Sequence, residues 1–313
     1  MPSLQVRRRF VAAFPLAALF ALLFSCLLPH AGPAWAQDYR PGETYYGKER
    51  YVEYQAGDLP LIFSAPHGGR EKPDEVPDRA EGVFAFDMNT QELIRAVAER
   101  VRSQTGASPH VVICRVHRRK VDCNREVVEA AGGNPKAEEI WEQYHDFLTA
   151  ARKTVVAKHG RGLFIDFHGH GHAIQRVEIG YLHSAEELMR GDRDLNSAEF
   201  AAQGSLRSLT GAVDLEYAKL LRGPSSFGAL LEKHGVPATP SPTSPRPPQP
   251  YFRGGYTTQR HARDAPPMCG MQLETNWRGV RDTAESRAAF ARALEASVRE
   301  FVALHLKLEL PKK

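Results

Sequence analysis

Four short segments carry residue types suited to hydrolysis: Ser64-Ala65-Pro66-His67-Gly68-Gly69, His117 to Arg125, Phe164-Ile165-Asp166-Phe167-His168-Gly169-His170, and Met271-Gln272-Leu273-Glu274-Thr275-Asn276. The first, third and fourth each follow an apolar, strand-like run. They supply two histidines and a carboxylate where strand ends can converge. Such a set can hold a metal ion that activates water, with a general base beside it.

His67 stands after a short strand and before two glycines, so the chain turns there and leaves the imidazole at the carboxyl end of the sheet. His168 closes the buried-strand run Leu163-Phe164-Ile165. Asp166, two residues earlier, shares its face and suits the task of orienting a ligand histidine. In His168-Gly169-His170-Gly171-His172 one ligand followed by two pocket histidines is the simpler reading. Catalytic zinc takes three protein ligands, and the third is expected to be Asp87, just before a helix, with Glu71 as the alternative. Glu274 is the expected general base and acid. Arg118 or Arg119 is expected to stabilise an oxyanion, and Arg125 with Asn124 to grip a substrate carboxylate through the guanidinium fork.

The elements that must position these residues are legible as alternation. Strands are expected at Leu61–Ser64, His110–Arg115, Gly162–Phe167, Val177–Leu182 and Met271–Glu274. Helices are expected from about Asn89 to Thr105, Pro135 to Lys158 and Thr283 to Leu306, the first capped by Asn89 or Thr90. The pattern predicts an α/β fold: one domain with a mostly parallel twisted sheet and helices on both faces. Pro237 to Pro250 holds seven prolines and leads into Tyr251-Phe252-Arg253-Gly254-Gly255-Tyr256. Residues 237–260 are expected to form a loop near the site, with Tyr256 contacting substrate.

The N-terminus carries Arg7-Arg8-Arg9, an apolar run from Phe10 to Leu28, and Ala34-Trp35-Ala36. This predicts a secretory signal over residues 1–36 and a mature chain starting at Gln37, periplasmic or secreted; the triple arginine also fits twin-arginine export. Without that segment Lys+Arg falls from 41 to 38 against 37 Asp+Glu, a net charge of +1. No charge argument for nucleic acid or an anionic membrane remains. The mature chain keeps Cys114, Cys123 and Cys269, an odd count in which Cys114 and Cys123 either pair or stay as buried thiols.

Together these segments resemble the N-formylglutamate amidohydrolase family, within the zinc carboxypeptidase-like and aspartoacylase-like hydrolases. The resemblance runs from Pro60 to about Phe301. Ser64 to Gly69 is similar to the family's Pro-His-Ser/Gly-Gly segment, and Asp87-Met88-Asn89-Thr90-Gln91-Glu92-Leu93 to its aspartate-led helix start. Arg118 to Arg125 is similar to the Arg…Asp-x-Asn-Arg segment that binds the substrate carboxylate. Ile165-Asp166-Phe167-His168 resembles the strand ending in a zinc histidine, and Gln272-Leu273-Glu274 the strand carrying the catalytic glutamate. The resemblance implies a phosphorylase/hydrolase-like fold, a single zinc ion, and cleavage of a C–N bond in an N-formylglutamate-like N-acyl amino acid or small peptide. Two other functions fit the same residues. One is an exported binding protein without catalysis. The other is a dinuclear metallo-esterase or lactamase built on His168, His170 and His172. No Gly-x-Ser-x-Gly nucleophile elbow is present.

Overall fold

The structure is a computed structural model that describes residues 38–211 and 215–313. The expected signal segment lies outside the described residues. The strands are β1 (Thr44–Tyr46), β2 (Val52–Gln55), β3 (Leu61–Ala65), β4 (His110–Cys114), β5 (Gly162–Gly169), β6 (Val177–Gly180), β7 (Ala238–Thr239) and β8 (Met268–Thr275). They form one sheet in the order β1-β2-β4-β3-β5-β8-β6-β7. Its centre, β4-β3-β5-β8, is parallel, as the helix–strand alternation requires. The flanks are mixed: β1, β2 and β4 pair antiparallel, as do β6 and β8, while β7 lies parallel to β6. The short strands β1 and β2 fall ahead of the predicted alternation, in a segment whose apolar residues are too few to announce them.

Each central strand buries both faces, and the residues divide by parity. Leu61, Phe63, Leu163, Ile165, Phe167, Val111 and Ile113 pack into one core, with α1 (Thr90–Thr105) and the C-terminal helix Ala284–Phe301. Ile62, Phe164, Val112 and Cys114 pack into the other, against the helix Pro135–His159. That second face changes character along its strands. Ile62 and Phe164 are followed, on the same side, by Ser64, Asp166 and His168, so an apolar floor becomes a polar rim at the carboxyl ends. Strand order reverses at β3, whose two neighbours are reached by successive crossovers in opposite directions. The crevice beyond β3 and β5 is therefore the place where an α/β sheet opens for a ligand.

Helix boundaries match the periodicity to within a residue or two, with two differences: the last α-helix ends at Phe301 and continues to Leu306 as a π-helical turn, and the first cap departs from expectation. Asn89 adopts φ 64° and makes no side-chain cap. Its amide donates to the Arg281 carbonyl instead (2.9 Å), while Thr90 Oγ1 donates to the Asp87 carbonyl (2.7 Å). The three cysteines among the described residues, Cys114, Cys123 and Cys269, are buried free thiols, so the Cys114–Cys123 bridge is not formed. Among the described residues no helix is long and apolar enough to cross a membrane.

Candidate metal centre and active site

Three groups converge at the crevice. His67 Nδ1 and His168 Nδ1 are 3.1 Å apart, and Asp87 Oδ2 lies 3.1 Å from His168 Nδ1 and 3.4 Å from His67 Nδ1. Their distal partners are carboxylates: His67 Nε2 donates to Asp122 Oδ1 (2.7 Å), and His168 Nε2 to Asp166 Oδ2 (3.0 Å). With each Nε2 committed to a carboxylate, the Nδ1 atoms are left to face Asp87. Asp166 is itself fixed by Ser64 Oγ at 2.5 Å. Asp122 also accepts from Arg118 Nε (2.8 Å) and the Asn124 backbone N–H (3.0 Å).

The backbone reasons are local. Gly68 has φ +87°, and a Cβ there would stand 2.2 Å from Thr90 Oγ1, so only glycine lets the His67 turn sit on the start of α1. The guanidinium of Arg281 donates to the carbonyls of Met88 (2.5 Å), His170 (2.8 Å) and Thr275 (3.0 Å), tying the Asp87 loop to the ends of β5 and β8. The parallel ladder pairs His168 with Glu274 and Asp166 with Gln272, so each pair stands side by side on one face.

Charge balance fits a cation. Burial opposes ionisation of Asp87, but His67 and His168 more than offset it and hold the carboxyl well below its usual range. Burial also opposes the His168 imidazolium, yet Asp166, Asp87 and Glu274 push its pKa up to about 10. Without metal, a proton on His168 Nδ1 is thus shared with Asp87, and His168 and Asp87 are two of the groups that would hold a divalent ion. Two imidazole nitrogens and a carboxylate oxygen form a donor set suited to such an ion, with ligand atoms all within 4.8 Å of one another. Glu274 is pushed up to about 8, first by burial, then by the nearby charges of Asp87 and Glu178, against His168 and Arg281. Gln272 Nε2 donates to Glu274 Oε1 (2.9 Å) and orients it.

A cavity of about 320 Å³ opens over this cluster. Among the residues expected from sequence, it is lined by His67, Asp87, Arg118, Asn124, Arg125, His168 and Glu274. Arg119 is not brought in: its half-exposed side chain points toward Asp78 at 3.8 Å and lies over Phe84. Glu71 is engaged elsewhere, paired with Arg115 at 2.6 Å. Tyr256 lines the adjoining cavity, its hydroxyl accepting from Arg260 (2.7 Å). Of the proline-rich loop, its exit Tyr251 to Gly255 reaches the site while the prolines do not.

His170 and His172 group with Glu178 rather than with His168. His170 spends both ring nitrogens, Nε2 on the Arg176 carbonyl (2.8 Å) and Nδ1 on the His172 N–H (3.1 Å). The second ion of a histidine-cluster site therefore finds no free lone pair on His170. Sequence reasoning missed Asp122 as the partner of His67, and Gln272 and Arg281 as supports. For Asp122 the only signal was its place between Arg118 and Asn124.

No protein-family model matches the sequence, and no curated protein does. Solved structures do match in fold. The N-formylglutamate amidohydrolase of Ralstonia eutropha JMP134 superposes with a TM-score of 0.50 at 16% identity, over 82% of this chain and 99% of that one. A gene product of Agrobacterium tumefaciens gives 0.48 at 14%, over 83% and 98%. An N-acetylmuramyl-L-alanine amidase of Mycobacterium abscessus gives 0.35 at 11%, over 77% and 98%. The first of these likenesses agrees with the α/β fold expected from the sequence and with the fold of the family its motifs resemble.

Proposed function

We propose that this chain is a metal-dependent amidohydrolase that cleaves the C–N bond of a carboxylate-bearing N-acyl amino acid or small peptide, with zinc as the ion. The observation that carries the reading is the convergence of His67 Nδ1, His168 Nδ1 and Asp87 Oδ2 in the same cavity as Glu274. When bound, the ion supplies Lewis acidity toward water and the scissile carbonyl. His67 and His168, held by Asp122 and Asp166, present fixed nitrogen lone pairs to it. Glu274 takes a proton from the attacking water and returns it to the leaving nitrogen as the C–N bond breaks; a carboxyl poised near neutral pH suits both transfers. Arg118 commits Nε to Asp122 and keeps its terminal nitrogens for the developing oxyanion. Asn124 and Arg125, on the cavity wall, hold the substrate carboxylate.

We also propose that the reaction takes place outside the cytoplasm, on the strength of the signal-like pattern of residues 1–36. The test is metal analysis of purified protein followed by hydrolysis of N-formyl, N-acetyl and dipeptide substrates by wild type and Glu274→Gln. The variant keeps its metal and loses about 10²–10⁴-fold in kcat, the worth of a positioned general base. Protein that binds no divalent metal and gains no activity from added metal refutes the proposal.

A further inference from the structure

The cavity over the metal cluster does not end at Arg125. It adjoins a second cavity of about 640 Å³, and the two share a wall made by Asn124, Arg125, Arg253, Gly254 and Gly255. The inner cavity lies at the lower end of the roughly 300–1,000 Å³ of small-molecule sites, room for one N-acyl amino acid. The outer one is larger and polar, lined by groups such as Glu126, Glu187, Gln203, Gln259 and Arg263.

Most charges of the outer cavity are already engaged. Arg125 Nε donates to Glu129 (2.9 Å), Arg263 to Asp264 (2.8 Å), and Glu187 closes the capping box with Ser184. Arg253 differs: among the described residues its guanidinium makes no hydrogen bond or ion pair. Its backbone, in contrast, is fixed on both sides. The Phe252 N–H donates to Glu178 Oε2 (2.9 Å), the Arg253 carbonyl accepts from Leu182 N–H (2.6 Å), and Tyr251 Oη donates to the Ile179 carbonyl (2.6 Å). Close packing reinforces this. A Cβ on Gly255 would meet Asn124 Nδ2 at 2.4 Å. The Arg253 side chain is exposed, and its charge, which helps hold the Glu187 carboxyl below its usual range, stands between two connected cavities with its hydrogen-bond donors uncommitted, which makes it an anion contact.

We propose that Arg253 and the outer cavity form a second subsite, which takes a carboxylate of the residue following the one attached to the scissile amide. The inference rests on the hydrolase reading for the position of that amide, and it narrows the substrate to an acidic N-acyl peptide of at least two residues. Arg125 holds the carboxylate nearer the metal, Arg253 the one beyond it, and the peptide runs past Gly254 and Gly255.

The test uses zinc-loaded Glu274→Gln protein and calorimetric binding of N-acetylglutamate and N-acetylglutamylglutamate, with hydrolysis of both probes by the wild type measured in parallel. The dipeptide binds about tenfold or more tightly than the single residue, one charge-assisted contact's worth. In Arg253→Ala that ratio falls to near unity, and Arg253→Lys recovers part of it. Gln203→Trp, which fills the outer cavity, also abolishes the preference. Equal affinity for the two probes, a preference that survives Arg253→Ala, or binding of neither probe overturns the proposal. A preference lost in Arg253→Ala while the wild type hydrolyses neither these probes nor their N-formyl counterparts leaves the subsite standing and refutes the hydrolase reading instead.

Discussion

On the proposed reading, a metal that binds between His67, His168 and Asp87 displaces the proton that His168 shares with Asp87. The perturbation is pH, and the three carboxylates around His168 set the direction and the order of magnitude of the effect. With the metal-free imidazole pushed up to about 10, pH 7 lies three units below its pKa. Removing the proton there costs about 4 kcal/mol, so apparent metal affinity at pH 7 is about 10³-fold below its high-pH limit and falls about tenfold per unit between. Glu274, at about 8, releases a further share when a cation arrives beside it, so the clean measurement is on Glu274→Gln. Zinc titrated calorimetrically into that variant at pH 7, in buffers of different ionisation enthalpy, releases about one proton per ion. Asp166→Asn removes the charge that contributes most to raising His168, so the variant releases less than the parent at pH 8. Stability carries the same sign. The folded pKa exceeds the unfolded value of 6.5, so this contribution is fully present below pH 6.5 and is lost as pH rises toward 10 in metal-free protein only. A metal affinity indifferent to pH between 6.5 and 9, or binding without proton release, refutes the assignment of His168 as a ligand through Nδ1.

Asp122→Ala leaves Arg118 with a buried, unpaired guanidinium and frees the His67 ring, so it is expected to cost about 3–5 kcal/mol in denaturant unfolding and about 10–100-fold in metal affinity. Arg125 is part-buried, so Arg125→Ala raises KM for carboxylate-bearing substrates by an amount equivalent to about 1.5–3 kcal/mol, and esterifying that carboxylate reproduces the defect in wild type. His110 and His145 are pushed down to about 3 by burial, so the unfolded chain binds more protons than the folded one between pH 3 and 6.5. Thermal melts should therefore show stability falling as pH drops from 6.5 to 4, by about 1.4 kcal/mol per unit for each histidine, and a flat profile there contradicts their burial as neutral rings.

The sequence by itself determined the elements that carry the site. The continuous apolar runs Leu61-Ile62-Phe63 and Leu163-Phe164-Ile165 are a local signal of strands buried on both faces, and the switch from Phe164 to Asp166 and His168 on one face is visible without knowing what lies opposite. The glycines after His67 likewise announced a turn at a strand end. What only the tertiary structure decided is which distant groups meet there. Asp87 rather than Glu71 joins the histidines because α1 packs its start on the Gly68 turn, while Glu71 is drawn to Arg115. Arg118 faces the cavity and its neighbour Arg119 faces Asp78, a choice set by the path of a loop with no periodicity to read. Asp122 reaches His67 across 55 residues of chain, and Arg253 enters the wall from a loop pinned to β6. Such contacts depend on strand order and loop closure, which are properties of the whole packed chain.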